Sequence, residues 1–188
     1  MAKKVALYGI LTSLALILGF LESLFSLSFI APGIKLGLAN SIALLLLCFN
    51  DFKGALLVNI TRILLSALLF SSPFSLVFSF TAGIISVMLM QLLSGIKSVS
   101  AIGLGIAGAA VHNSVQLTVA SLLFGRAVWY YLPFLLVSAL ISGGMIGTLS
   151  LIIFKKIKTN IKLWCIITYY ILCRGAFKCV ALRALPIL

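Results

Sequence analysis

Long apolar segments limit what this chain can fold into more than any other feature of its sequence. A helix needs about 20 apolar residues to cross a bilayer, and a membrane strand needs about 9–11 residues of alternating polarity. None of the apolar segments alternates, so the pattern predicts an all-α membrane protein built as a six-transmembrane-helix bundle. The predicted spans are residues 5–21, 36–50, 54–70, 74–95, 101–124 and 128–154. The second span is short, and glycine at positions 33 and 37 allows it to begin in the loop before it.

The composition supports an integral membrane protein. Hydrophobic residues make up 63% of the chain, and only 9% of residues are charged, against about 25% in soluble domains. The 188 residues accommodate one bundle over 1–158 and a basic tail over 159–188. Within that tail, Trp164–Leu172 is too short to span a membrane, so the tail is expected to be interfacial or poorly ordered.

The distribution of basic residues predicts the orientation. Most lysines near the spans fall on one side, and only Lys35 and Arg126 fall in the opposite loops. The positive-inside rule then puts both ends of the bundle in the cytoplasm, as a multi-pass protein of the cytoplasmic membrane whose first helix is retained. The net charge of +12 is explained by this topology and by anionic membrane lipid, without a nucleic-acid partner. The lysines on the predicted cytoplasmic side are Lys3, Lys4, Lys53, Lys97, Lys155, Lys156, Lys158 and Lys162.

The shortage of acidic residues excludes a class of enzyme. Glu22 and Asp51 are the only carboxylate side chains, and the topology places them at opposite membrane faces. Enzymes that hold Mg²⁺ on clustered carboxylates need several such groups within reach of one another. The sequence also lacks a Walker-type phosphate loop and paired C-x-x-C spacing, so no enzyme activity, metal site or cofactor is predicted.

Polar groups inside the apolar segments mark where function is expected. They are the stretch Pro32–Asn40, Arg62, and the motif His112-Asn113-x-x-Gln116. An ionisable residue in a span costs roughly 2.5 kcal/mol or more, so it usually faces a cavity or a partner. Topology places these groups at the midplane or in the outer half, which predicts a pocket open to the outside. The pocket candidates are Lys35, Asn40, Arg62, His112, Asn113 and Gln116, with Glu22, Asn59 and Tyr131 as further candidates.

The charges of the pocket favour an anionic ligand, although each residue also has a structural explanation. Lys35 and Arg62 outnumber Glu22, and a helix start near Lys35 offers free backbone N–H groups. Alternatively, Arg62 pairs with Glu22 or with carbonyls, and His112 and Asn113 join helices. Lys35 is equally explained as an interfacial residue and Tyr131 as part of an aromatic belt.

The same motifs resemble a known bacterial membrane family. Pro32–Asn40, Arg62 with the residues after it, His112-Asn113-x-x-Gln116 and Tyr131-Leu132-Pro133 resemble the Gx transporter family, also labelled heptaprenyl diphosphate synthase component I. The resemblance runs from about residue 5 to about residue 156. That family is similar to the substrate-binding S components of energy-coupling factor transporters.

The resemblance implies a six-helix S-component fold that captures a vitamin-like or precursor molecule from outside. Ser23–Lys35 would be a lid, and the protein would dock on a transmembrane coupling subunit driven by two ATPase subunits. Small residues on the first helix would serve that docking, with ordinary packing inside the bundle as the alternative. These residues are Ala2, Ala6, Ala15 and Gly19.

Other functional interpretations remain open. The synthase label conflicts with the acid count, but it allows a membrane component associated with heptaprenyl diphosphate or isoprenoid quinone synthesis. A secondary transporter that works alone is a weaker alternative, since the chain has no clear internal duplication.

Overall fold

The computed structural model describes residues 2–24, 37, 39–69, 73–96 and 98–159. Within these residues all regular structure is helical, which agrees with the predicted all-α class. The elements in chain order are α1 (Ala2–Leu24), α2 (Asn40–Cys48), α3 (Phe52–Leu69), α4 (Pro73–Ser94), α5 (Ala101–Phe124), a 3₁₀-helix (Arg126–Tyr131) and α6 (Leu132–Thr159). Lys35 and residues 160–188 lie outside the described residues, and so does most of the predicted lid.

Five helices of the described chain are long and apolar enough to cross a membrane: α1, α3, α4, α5 and α6. Helix α2 has nine residues, which correspond to a length of about 14 Å at 1.5 Å per residue. A bilayer core is about 30 Å thick, so α2 alone reaches across less than half of it. The chain is therefore a multi-pass helical protein, but the prediction of six full spans is not confirmed.

The short helix α2 lies at the centre of the bundle. All seven residues from Ser41 to Leu47 are buried, and six of the seven side chains are apolar. Helices α3, α4, α5 and α6 each pack on α2 and on their neighbours in chain order, while α1 packs mainly on α3. The apolar side chains of α2 therefore contact other helices rather than lipid.

Helices α5 and α6 approach each other most closely, and glycine makes this approach possible. A Cβ atom at Gly143 would lie 2.6 Å from Cα of Ile106, and one at Gly105 would lie 2.4 Å from the carbonyl oxygen of Gly143. Small residues at the contact allow two helix backbones to pack directly, which is the common solution between membrane helices. This seam fixes the position of α5 against α6.

Aromatic and polar contacts tie the helix ends together on one side of the bundle. The hydroxyl of Tyr8 donates a hydrogen bond of 2.6 Å to the Asp51 carboxylate, whose other oxygen accepts from the Gly54 N–H at 3.1 Å. The rings of Phe49 and Phe154 lie 5.0 Å apart. We call this side the basic end, since it is also the side of Lys4, Lys53, Lys155 and Lys156.

Candidate functional site

A cavity of about 320 Å³ opens between the helices of the bundle. Residues from all six α-helices line it. Most of the lining side chains are polar, and the rest are small or aliphatic. The lining consists of Gly19, Glu22, Ser23, Gly37, Ala39, Asn40, Arg62, Ile63, Ser66, Ser79, Ala109, His112, Asn113, Gln116, Ser142 and Ile146.

The half-length of α2 creates the space for this cavity. Its first residue, Asn40, lines the cavity together with Ala39 and Gly37 just before it. Gly37 has a φ of +70°, a conformation that side-chain-bearing residues rarely adopt, and its carbonyl accepts from the Asn40 N–H at 2.8 Å. The amino-terminal end of α2, which carries the positive end of the helix dipole, thus faces the cavity near mid-depth.

Arg62 is the one Lys or Arg side chain among the described residues of the cavity wall. It lies ten residues beyond the start of α3, a rise of about 15 Å and roughly half of a bilayer core. Its Nη2 atom donates to Oδ1 of Asn40 at 3.0 Å and to Oδ1 of Asn59 at 2.9 Å. Its Nε atom is buried and has no hydrogen-bond partner among the described residues. Two amides therefore orient the guanidinium and leave part of its donor capacity unused.

Glu22 is the carboxylate of the same cavity. Its side chain is 8% exposed, and its Oε1 atom accepts a hydrogen bond from the backbone N–H of Gly37. Glu22 and Arg62 attract each other through space, but among the described residues no carboxylate lies within the 4.0 Å of an ion pair with the guanidinium. The charge of Arg62 is therefore balanced from a distance rather than by direct contact.

The polar residues of the α5 motif occupy two kinds of position, one at a helix–helix contact and the others at the cavity. Nδ2 of Asn113 donates to the carbonyl of Leu135 at 2.9 Å and lies 3.4 Å from Oγ of Ser138, so this amide joins α5 to α6. His112 and Gln116 are four residues apart, one helical turn, and both line the cavity. The structure thus supports the interhelical alternative for Asn113 while keeping that residue at the cavity wall.

The structure brings most of the predicted site residues together. Six of them, Asn40, Arg62, His112, Asn113, Gln116 and Glu22, line one cavity. Asn59 is 2% exposed and lies behind Arg62, where it positions the guanidinium rather than lining the space. Tyr131 is not among the residues that line the cavity; it ends the 3₁₀-helix and is 46% exposed. Lys35 is outside the described residues.

Several serines at the cavity were missed by the sequence interpretation. Ser79 on α4 and Ser142 on α6 line the space, as does Ser66, which follows Arg62 by four residues on α3. A lone serine in an apolar helix gives little signal, since its hydroxyl commonly bonds a carbonyl of the preceding turn. Ser66 does so here, with its hydroxyl 3.0 Å from the Ile63 carbonyl.

The small residues predicted to dock a partner do not all lie on the exposed face of α1. Ala15 is 0% exposed, and a Cβ atom at Gly19 would contact Cβ of Ala39 at 3.6 Å, so both positions pack within the bundle. Ala6 is exposed, and the side chain of Ala2 is outside the described part of the chain. The four positions therefore do not form one continuous exposed strip.

The two carboxylates are far apart along the bundle. Asp51 bonds to Tyr8, and Glu22 is fourteen residues farther along the same helix, a rise of about 21 Å. The described residues contain no group of three or more His, Cys, Asp or Glu side chains that could hold a metal ion.

The fold and cavity define a class: a multi-pass helical membrane protein with a small cavity, lined by both polar and apolar side chains, among its spans. Within that class, the chain belongs to the family described as heptaprenyl diphosphate synthase component I, whose family model matches residues 11–153. No curated protein and no solved structure has significant similarity to this chain.

Proposed function

We propose that this chain is the membrane-embedded binding subunit of an uptake transporter and that it captures a small molecule with an anionic group. The observation that carries the proposal is the state of Arg62. A buried guanidinium usually has a carboxylate partner, because an unpaired charge in a low-dielectric site is costly. Here amide oxygens of Asn40 and Asn59 hold it instead, which leaves a cation at a cavity wall for a ligand.

The position of the cavity supports capture from one side of the membrane. The predominantly apolar helix α2 fills the bundle between the cavity and the basic end. Under the positive-inside rule the basic end is cytoplasmic, so the cavity belongs to the outer half. A site that is accessible from outside and closed toward the cytoplasm is suited to the first step of uptake. We therefore assign the protein to the cytoplasmic membrane, with both ends of the bundle inside.

The energy for transport would come from other subunits. We propose the arrangement of energy-coupling factor transporters, in which an S component binds the ligand and docks on a transmembrane coupling subunit with two ATPases. This arrangement is what the resemblance of the sequence motifs to the Gx transporter family implies, since that family is similar to S components. Affinity purification of the tagged chain in mild detergent tests it, since mass spectrometry of the co-purified proteins should identify ATPase subunits.

The family description offers a second candidate function, a membrane component that associates with a soluble prenyl diphosphate synthase. Under that alternative the tagged chain would recover such an enzyme and no ATPase. Catalysis by this chain alone is not part of our proposal, since Glu22 and Asp51 are too far apart to share a magnesium ion.

Ligand binding is tested by comparing two arginine variants. Small molecules retained by the detergent-purified protein are extracted and identified by mass spectrometry, for wild type, Arg62→Ala and Arg126→Ala. Arg126 is exposed on the 3₁₀-helix, so its removal changes net charge equally but leaves the cavity intact. We expect the ligand in wild type and Arg126→Ala but not in Arg62→Ala. Equal retention by the folded Arg62→Ala protein would exclude the proposed site.

A further inference from the structure

We infer that the ligand of this cavity is a compact zwitterion, with its acidic group at Arg62 and its cationic group at Glu22. The inference rests on the proposed function and specifies the class of molecule that the same cavity accepts. It depends on three properties of the lining: the presence of both charges, their separation, and the kinds of side chain around them.

The two charges belong to the same cavity, but they do not neutralise each other by contact. Both residues line the space, and within the described residues their charged groups are more than 4.0 Å apart. One oxygen of the Glu22 carboxylate is held by the Gly37 N–H, and the other has no hydrogen-bond donor among the described residues. Each charge therefore retains capacity for a ligand group of opposite sign.

A simple anion would satisfy only one of these groups. Among the described residues of the wall, the charges of Arg62 and Glu22 sum to zero, and a multiply charged anion such as a diphosphate would meet repulsion from the carboxylate. A molecule with one charge of each sign can form one ionic contact with Arg62 and a second with Glu22. A ligand that lacks one of the two charges would bind more weakly. It would remove water from Arg62 or Glu22 without replacing that water by an ionic contact.

The remaining described lining supplies several hydrogen-bonding groups to a small molecule. No Phe, Tyr or Trp side chain is among the described residues of the wall. Four serines, together with Asn40, Asn113 and Gln116, supply neutral hydrogen-bonding groups. The cavity of about 320 Å³ is at the lower end of the size range of small-molecule sites.

The test identifies the molecule that the wild-type protein retains and measures its dependence on Glu22. Full-length wild type, Glu22→Gln, Arg62→Ala and Arg126→Ala are purified in mild detergent from the same cells, and extracts are analysed by high-resolution mass spectrometry. We expect a compound with both an acidic group and a basic nitrogen, retained by wild type and Arg126→Ala. Loss of the ionic contact should lower its retention by about tenfold in Glu22→Gln.

The outcomes separate this inference from the proposed function. A compound with acidic groups only, lost from Arg62→Ala but retained fully by Glu22→Gln, overturns the zwitterion and leaves the binding function in place. A compound retained equally by Arg62→Ala, or no retained compound in wild type, overturns both. If Glu22→Gln does not fold, the compound retained by wild type still distinguishes the two cases. A zwitterion contains a basic nitrogen as well as an acidic group, and a simple anion does not.

Discussion

The Nη2 atom of Arg62 lies 3.0 Å from Oδ1 of Asn40, so an amide at the first residue of α2 holds a guanidinium on α3. An amide oxygen orients a cation without cancelling its charge, whereas a carboxylate at the same place would do both. The difference between these two acceptors gives a direct test of whether the charge of Arg62 is available to a ligand.

Replacing Asn40 by Asp should weaken ligand binding while Arg62 stays in place. The new carboxylate would form an ion pair with the guanidinium and repel an acidic ligand group. A charge-assisted contact is worth about 1.5–3 kcal/mol, so we expect a loss of about ten- to a hundredfold in affinity. Retained ligand and the thermal unfolding temperature are measured together, and the unfolding temperature should not fall.

The control for this substitution is Asn50→Asp. Asn50 is exposed at the basic end with a φ of 61°, a conformation that Asp also tolerates. It adds the same charge far from the cavity and should leave retention unchanged. Full retention in Asn40→Asp would contradict the role given to Arg62.

Substitutions of Asn113 and Gln116 should have different effects, the first on stability and the second on ligand binding. Asn113→Ala removes the hydrogen bond to the Leu135 carbonyl, so we expect a loss of about 1 kcal/mol in the free energy of unfolding. Gln116 lines the cavity and has no hydrogen-bond partner among the described residues, so Gln116→Ala should lower ligand retention with little change in unfolding. Thermal unfolding and ligand retention of both variants test this, and the reverse pattern would refute the division.

The glycine seam between α5 and α6 provides a matched pair of variants. Gly143→Ala would place Cβ 2.6 Å from Cα of Ile106 and 2.7 Å from the Gly105 carbonyl oxygen, both backbone atoms that cannot move independently. We expect destabilisation of about 1–3 kcal/mol. Gly144→Ala has nothing within 4 Å of the new Cβ and should be neutral or slightly stabilising. Equal unfolding temperatures for the two variants would show that the helices do not pack this closely.

The contact between Tyr8 and Asp51 should stabilise the basic end. Tyr8→Phe removes a hydroxyl that donates to a carboxylate at 2.6 Å, and the expected loss is about 1.5–3 kcal/mol. Tyr130→Phe is the control, since Tyr130 is exposed on the 3₁₀-helix. A double-mutant cycle with Asp51→Asn measures the coupling, and additive effects of the two changes would argue against the contact.

Sequence reasoning gave the all-α membrane class and most of the residues at the cavity. Segment length and the absence of alternation are properties of the local sequence, so they could be interpreted without a structure. Arg62, His112 and Gln116 were identifiable for the same reason, because a polar group in an apolar segment is conspicuous at its own position.

Other features depend on contacts between distant residues. Hydropathy counts apolar residues but does not show where a helix begins, so segment 36–50 was predicted as a span although helix α2 occupies only Asn40–Cys48. Likewise, the rotation of α1 decided that Ala15 and Gly19 face the bundle, and the path after Gly125 decided that Tyr131 stays away from the cavity.

The sequence by itself determined that this protein is a helical membrane protein with a few costly polar groups, since both follow from the free energy of transferring each residue into lipid. Only the tertiary structure decided what those groups do. It made α2 begin halfway across the bundle, which leaves a cavity at Asn40, and it placed two amide oxygens rather than a carboxylate next to Arg62. Those outcomes depend on packing between helices far apart in sequence, which no local pattern encodes.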